Sequence, residues 1–179
     1  MSDAPVLMLP GYGDSGPEHW QSLWEAADAG IQRVVQRDWL MPTLAEWVAT
    51  LERAVAASAA PPVLVAHSLA CSLVAHFAAR GGRAAGALLV APADVDSPFH
   101  TPDEVRSFSP IPLSPMPFPS IVVASTDDPF VARPRAEALA RAWGSRLVVL
   151  PDAAHINADA GFGPWPEGRR LLDELRAAR

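Results

Sequence analysis

One serine of the chain stands where a nucleophile is expected. Ser68 follows the apolar run 63–65 and precedes a helical pattern over 69–77, and Ala66 and Ala70 lie two positions away on either side. This is the layout of a nucleophile elbow, G-x-S-x-G, with alanine in place of both glycines. Small flanking residues permit the tight turn that lifts the hydroxyl above a sheet, and the helix N-terminus offers N–H groups to a developing oxyanion. A serine that only caps the helix is the alternative interpretation.

A candidate acid and a candidate base follow two later apolar runs. A serine hydroxyl is a weak nucleophile at neutral pH and needs a base, which an acid must orient. Asp127 and Asp128 follow one run and His155 follows the next, so the order along the chain is Ser, Asp, His. We select Asp128 as the acid because Pro129 favours an extended conformation at the residue before it, which suits a carboxylate reaching beyond a strand end. Asp127 is then expected to belong to the turn.

The glycine-rich loop at 11–16 has two interpretations. It is a literal G-x-G-x-x-G between a strand pattern and a helix pattern, and Asp38 follows its last glycine by 22 residues. That is the dinucleotide-binding fingerprint, and it makes a nicotinamide-dependent oxidoreductase the alternative function. Asp14 and Glu18 would repel a pyrophosphate, however, and Pro17 delays the start of the helix. We therefore predict that the loop binds no nucleotide and that the protein uses no cofactor.

In a hydrolase the same loop has another task. The loop after the first strand gives one backbone N–H of the oxyanion hole, and the residue after the nucleophile gives the other. By position these donors are Tyr12 and Leu69. The expected reaction is cleavage of a small carboxylic ester or amide.

Candidate pocket residues follow the strands at their carboxyl ends. Phe99, Phe130 and Ile156 come after the fourth, fifth and sixth strand patterns, and His19 lies in the helix after the first loop. A structural role for His19 is the alternative. Residues 94–119 contain seven prolines and no long helical pattern, so this segment is expected either to roof the pocket or to run over the surface.

Strand and helix patterns alternate along the whole chain and position these residues. This alternation predicts a single α/β domain over 1–179, with a mostly parallel six-stranded sheet, helices on both faces and right-handed crossovers. In such a sheet, ligands bind at the carboxyl ends of the strands. Strands are expected at 5–9, 33–37, 63–65, 86–91, 120–125 and 146–150, helices at 134–143 and 166–178, and a capping box at Thr43 and Glu46.

Composition excludes several classes of partner. The net charge is −6, from 14 basic and 20 acidic residues, which argues against a nucleic-acid surface. No apolar run has the length of a membrane span, and no signal-peptide pattern is visible, so a cytoplasmic protein is expected. Cys71 is the only cysteine, so an internal disulfide is excluded and no metal cluster is expected.

The sequence resembles the small serine hydrolases of the retinoblastoma-binding protein nine family, including its bacterial YdeN-like members. The resemblance implies an α/β-hydrolase domain without a separate cap and a triad of Ser68, Asp128 and His155. Ala66 and Ala70 depart from the glycines common in the family. A catalytically weak binding module on the same fold is a further alternative. The matching segments are Leu-Pro-Gly-Tyr-Gly-Asp-Ser-Gly-Pro-Glu-His-Trp-Gln, Ala-His-Ser-Leu-Ala, Ser-Thr-Asp-Asp-Pro-Phe, Ala-Ala-His-Ile-Asn and Trp-Pro-Glu-Gly.

Overall fold

A six-stranded sheet forms the centre of the molecule in a computed structural model that describes residues 4–177. All neighbouring strands pair in parallel, in the order β2-β1-β3-β4-β5-β6. All carboxyl ends therefore meet at one edge, as the alternating pattern predicts. The strands are β1 (Val6–Leu9), β2 (Ile31–Arg33), β3 (Val63–His67), β4 (Gly86–Val90), β5 (Ser120–Ser125) and β6 (Arg146–Leu150).

Helices cover both faces of the sheet and bury two apolar layers. Alternate residues of a strand point to opposite faces, so Leu7 and Leu64 belong to one layer and Val6 and Val63 to the other. The first layer includes residues of α2, α3 and α4, and the second includes residues of α1 and α5. The helices are α1 (Trp20–Ala27), α2 (Leu44–Ala57), α3 (Leu69–Ala79), α4 (Arg133–Trp143) and α5 (Pro166–Ala177), with a short 3₁₀ helix at Asp103–Phe108.

Two local predictions are wrong. The second strand lies at Ile31–Arg33 rather than at 33–37, because β1 ends opposite this stretch and Val35 is 67% exposed. The capping box does not form either. The hydroxyl of Thr43 donates to the Glu46 carboxylate at 3.0 Å and receives no bond from the helix backbone.

The proline-rich segment 94–119 packs onto the domain. It contributes Val105, Phe108 and Ile111 to the apolar layer that α2 and α3 share. The Arg106 guanidinium donates to the carbonyl oxygens of Val95 and Thr101, which ties the start of the segment to its 3₁₀ helix. Within residues 4–177, no helix is long and apolar enough to cross a membrane.

Candidate active site

Ser68 lies on a strained turn between β3 and α3. Its backbone has φ 57° and ψ −120°, a region that a residue with a side chain rarely adopts, as an elbow requires. Ala66 and Ala70, two positions away on either side, are fully buried. The backbone N–H of Ser68 donates to the Val90 carbonyl at 3.0 Å, which fixes the turn against the end of β4.

Three side chains form one hydrogen-bonded chain at the carboxyl edge of the sheet. His155 Nε2 lies 2.9 Å from Ser68 Oγ, and His155 Nδ1 lies 3.0 Å from both carboxylate oxygens of Asp128. A carboxylate only accepts, so Nδ1 carries the proton and Nε2 accepts from the serine hydroxyl. The Asp128 side chain is fully buried, and it also accepts from the Phe130 N–H at 2.9 Å. The serine hydroxyl therefore lies within hydrogen-bond range of an imidazole nitrogen that can take its proton.

Asp127 contacts other groups. Its carboxylate accepts from the Ser125 hydroxyl at 2.6 Å and from the Ala154 N–H at 2.8 Å. The Ser125 hydroxyl is the main reason that the pKa of this exposed carboxyl lies below its usual value, and the Ala154 bond adds to it. Asp127 thus fastens the loop before His155 to the end of β5.

The loop that carries His155 is irregular and held by bonds from other elements. Asp152, Ala154, Ile156 and Trp165 all have positive φ. The Asp152 N–H donates to the Thr126 hydroxyl at 2.9 Å, and the Ala153 N–H donates to the Ser125 hydroxyl at 3.0 Å. Ser125 is the last residue of β5, and Thr126 follows it. On the other side of His155, the Trp20 indole donates to the Ile156 carbonyl at 2.8 Å.

The loop after β1 lies directly against the elbow. A Cβ atom at Gly11 would lie 2.9 Å from the His67 carbonyl oxygen and 3.0 Å from Ser68 Cβ, so only glycine fits there. Tyr12 and Leu69, the expected oxyanion donors, both line the cavity beside Ser68. Within residues 4–177, the Tyr12 N–H has no protein acceptor in hydrogen-bond range.

Ser68 and His155 open into a cavity of about 230 Å³. His19 and Phe130 line it as expected, but Phe99 and Ile156 do not. Phe99 is 95% exposed, because the segment that carries it turns outward before Thr101. Ile156 is fully buried below the site, because the chain reverses through positive φ on both sides of His155. The segment 94–119 lines the cavity, as one of its two interpretations predicts, through Val95, Thr101, Pro102 and Val105. His67 and Asn157 also line it, and sequence reasoning did not place them there.

Two further histidines lie next to His155. The His67 ring centroid is 4.8 Å from that of His155, and the His19 ring is 4.8 Å from that of His67. Burial, with smaller contributions from His155 and Arg33, lowers the pKa of His19 to about 4. Burial also holds the pKa of His67 well below its usual value, with His155 and His19 adding to the effect. Both rings are therefore neutral at pH 7.

Two acids that bear on the dinucleotide interpretation, Asp14 in the glycine-rich loop and Asp38 after it, have protein partners. Asp14 forms an ion pair with Arg33 at 2.8 Å. Asp38 accepts from the N–H groups of Leu40 and Met41, both at 2.9 Å. The helix begins only at Trp20, where His19 Nδ1 accepts from the Gln21 N–H at 3.2 Å. None of these contacts favours the dinucleotide interpretation.

The sheet order, the strained serine after β3 and the position of the site define the α/β-hydrolase fold. A family model described as serine hydrolase matches residues 6–174, and the chain belongs to that family.

Solved structures agree with this assignment. A protein from Pectobacterium atrosepticum, described as a YdeN-like hydrolase, is 36% identical over 98% of this chain and 91% of its own, with a TM-score of 0.88. The ydeN gene product of B. subtilis is 23% identical, covering 96% of this chain and 98% of its own, with a TM-score of 0.78. Thermogutta terrifontis esterase 2, in a structure phosphonylated by cyclosarin, shares the fold at 19% identity, with coverages of 97% and 81% and a TM-score of 0.72. The resemblance to the YdeN-like hydrolases is thus confirmed, and no match is found among curated proteins.

Proposed function

We propose that the protein is an esterase-like serine hydrolase that cleaves small carboxylic esters or amides through an acyl-enzyme at Ser68. The observation that carries the proposal is the hydrogen-bonded chain from Asp128 through His155 to Ser68, with the serine held at positive φ. Of the residues in the cavity wall, Ser68 alone combines a hydroxyl with a base in contact and an acid behind that base.

The reaction has two halves. Ser68 Oγ attacks the carbonyl carbon while His155 Nε2 takes its proton, and the negative charge moves to the carbonyl oxygen. In this proposal the backbone N–H groups of Tyr12 and Leu69 hold that oxygen. When the carbonyl re-forms, the bond to the leaving group breaks, and His155 gives the leaving group the proton. Water then attacks the acyl-enzyme with His155 again as base, which releases the acid and restores the serine.

Size and lining of the cavity support a short acyl group. A volume of about 230 Å³ is below the range of about 300 to 1,000 Å³ that is typical of sites for drug-sized ligands. Val95, Val105 and Leu69 offer an apolar wall beside the serine. A small apolar acyl chain would lose little by leaving water here, whereas a long chain would have to extend past the rim.

Covalent labelling tests the nucleophile. A fluorophosphonate should label the wild-type protein and should not label Ser68→Ala. Ser72→Ala is the matched control, because Ser72 is a buried serine one turn further along α3 whose hydroxyl has no protein partner. Labelling that persists in Ser68→Ala would show that another residue reacts.

An ester series tests the substrate class. Nitrophenyl esters from acetate to decanoate should give kcat/KM values that fall with chain length, and Ser68→Ala should hydrolyse none of them above background. A higher kcat/KM for long chains would contradict the proposed size limit. No hydrolysis of any member by a protein that the phosphonate labels would contradict ester specificity.

A further inference from the structure

His67 is a buried histidine of the site to which the proposed reaction gives no task. It ends β3, directly before the nucleophile, and it is only 6% exposed. Its Nε2 lies 2.9 Å from the backbone carbonyl oxygen of His155. A carbonyl only accepts, so Nε2 carries the proton and donates it. The ring also packs 4.8 Å from the ring of His155.

We infer that His67 is a positioning residue that sets the distance between Ser68 and His155. The inference rests on the proposed function, since that distance matters only if His155 is the base. The backbone joins Ser68 to His67, the His67 side chain reaches the His155 carbonyl, and the His155 side chain returns to Ser68 at 2.9 Å. The nucleophile and the base therefore belong to a small closed ring. It consists of the peptide bond between His67 and Ser68, the hydrogen bond from His67 to the His155 carbonyl, and the hydrogen bond between His155 and Ser68.

The His155 loop needs such a contact. Its bonds to Thr126 and Ser125 fix the residues before His155 relative to β5. The bond from Trp20 fixes Ile156 relative to α1. The bond from His67 is different because it leads to the strand that carries the nucleophile. Without this bond, the loop would keep its place relative to β5 and α1, but the backbone of His155 would no longer be bonded to the strand that carries Ser68.

A neutral donor suits this position. During the reaction His155 becomes an imidazolium, which a second cation in contact would disfavour. Burial keeps the pKa of His67 low, so the ring donates a hydrogen bond without charge. The rings of His19 and His67 also meet in an edge-to-face contact, with their centroids 4.8 Å apart.

Three substitutions separate the N–H group from the bulk of the ring. His67→Phe keeps an aromatic ring and removes the donor, and His67→Met removes it with a flexible side chain in case the first variant does not fold. His67→Gln restores an N–H at a similar distance from the backbone. Because a misplacement of about 1 Å can cost about a hundredfold in rate, we expect kcat of the first two to fall about tenfold to a hundredfold with KM little changed. His67→Gln should recover most of the loss.

His76→Phe is the matched control. His76 lies on α3, and its Nε2 donates to the Phe108 carbonyl at 2.8 Å, so the same change removes the same kind of bond away from the triad. This variant should lose stability and keep kcat. A second readout is the low-field proton NMR signal of His155 Nδ1–H, assigned by its disappearance in Asp128→Asn. It should shift or exchange rapidly in His67→Phe and stay unchanged in His67→Gln and His76→Phe.

Wild-type kcat and an unchanged His155 proton signal in His67→Phe would overturn the inference, as would a His67→Gln variant as impaired as His67→Phe. Failure of the proposed function gives a different result. A wild-type protein that hydrolyses no ester and is not labelled by the phosphonate would refute the hydrolase proposal. The proton signal of His155 would still decide whether His67 positions that ring.

Discussion

Asp127 and Asp128 are adjacent in the sequence but have different partners. Asp128 is buried and receives the His155 ring, whereas Asp127 is exposed and accepts from Ser125 and from the backbone of Ala154. Successive side chains of an extended segment point to opposite sides, so one of the two can face the imidazole. The preference for the residue before Pro129 agrees with this geometry.

Replacement of the two carboxylates should therefore have unequal effects. Asp128→Asn should lower kcat by about 10⁴-fold, because an amide does not hold the imidazole in the tautomer that accepts from serine. Asp127→Asn should cost far less, through a looser loop. Steady-state kinetics of both variants on one short ester provide the measurement. A nearly inactive Asp127→Asn beside a nearly intact Asp128→Asn would reverse the assignment.

Residues that follow a strand could be located from sequence, but the direction in which a loop side chain points could not. Ser68, Asp128 and His155 each follow a recognisable strand, and a parallel sheet brings such ends together. Ile156 and Phe99 were misplaced because the facing of a loop residue depends on distant contacts and on positive φ values, which local patterns do not encode. The place of His67 at the site was not predicted, because its ring reaches a carbonyl 88 positions along the chain.

At the scale of elements, the loop after β1 and the elbow after β3 pack backbone against backbone. Gly11 is the point of closest approach, since an added Cβ would meet the His67 carbonyl oxygen, Ser68 Cβ and the Leu69 nitrogen at 2.9, 3.0 and 3.3 Å. Real Cβ atoms rarely come so near to backbone, so the two loops would have to separate.

Gly11→Ala should consequently lower kcat by about a hundredfold, because the nucleophile and both oxyanion donors lie on the displaced loops. Gly16→Ala is the control from the same loop, since a Cβ there meets nothing within 4 Å and the backbone is not left-handed. Kinetics and circular dichroism of both variants give the comparison. Equal activity of the two alanine variants would show that the close contact at Gly11 is unimportant.

The segment 94–119 is a second element that shapes the pocket, and hydrogen bonds hold it in place. Arg106 donates to the carbonyls of Val95 and Thr101, and both of these residues line the cavity. Asp96 holds the far part of the segment by accepting from the Ile111 N–H at 3.1 Å. These polar contacts therefore hold the part of the pocket wall that precedes the 3₁₀ helix.

Arg106→Ala should open this wall. The expected result is a higher KM for acetate esters and a smaller difference between short and long acyl chains, with kcat for acetate within about tenfold of wild type because the triad is not in contact with Arg106. Arg141→Ala, on exposed α4 surface, is the control. Unchanged chain-length selectivity in Arg106→Ala would mean that the wall keeps its shape without the guanidinium.

At the scale of the whole molecule, a sheet covered on both faces buries neutral histidines at its carboxyl edge. Parallel sheets have both faces covered, so the carboxyl edge is the natural outlet for polar groups. His19 and His67 lie at that edge but are still more than nine-tenths buried. In the unfolded chain each imidazole has a pKa of about 6.5. These two histidines are thus protonated less readily in the folded protein than in the unfolded chain.

Stability should therefore fall as the pH is lowered. His19 has a folded pKa of about 4 against about 6.5 unfolded, so between these values the unfolded state binds more protons and the free energy of unfolding rises with pH. From pH 7 to pH 5, this group alone should remove about 2 kcal/mol of that free energy.

Urea unfolding of wild type and His19→Asn at both pH values measures the effect, because asparagine still accepts at the helix N-cap but does not titrate. The variant should lose correspondingly less stability on acidification. Equal acid sensitivity of His19→Asn and wild type would show that His19 titrates normally in the folded protein.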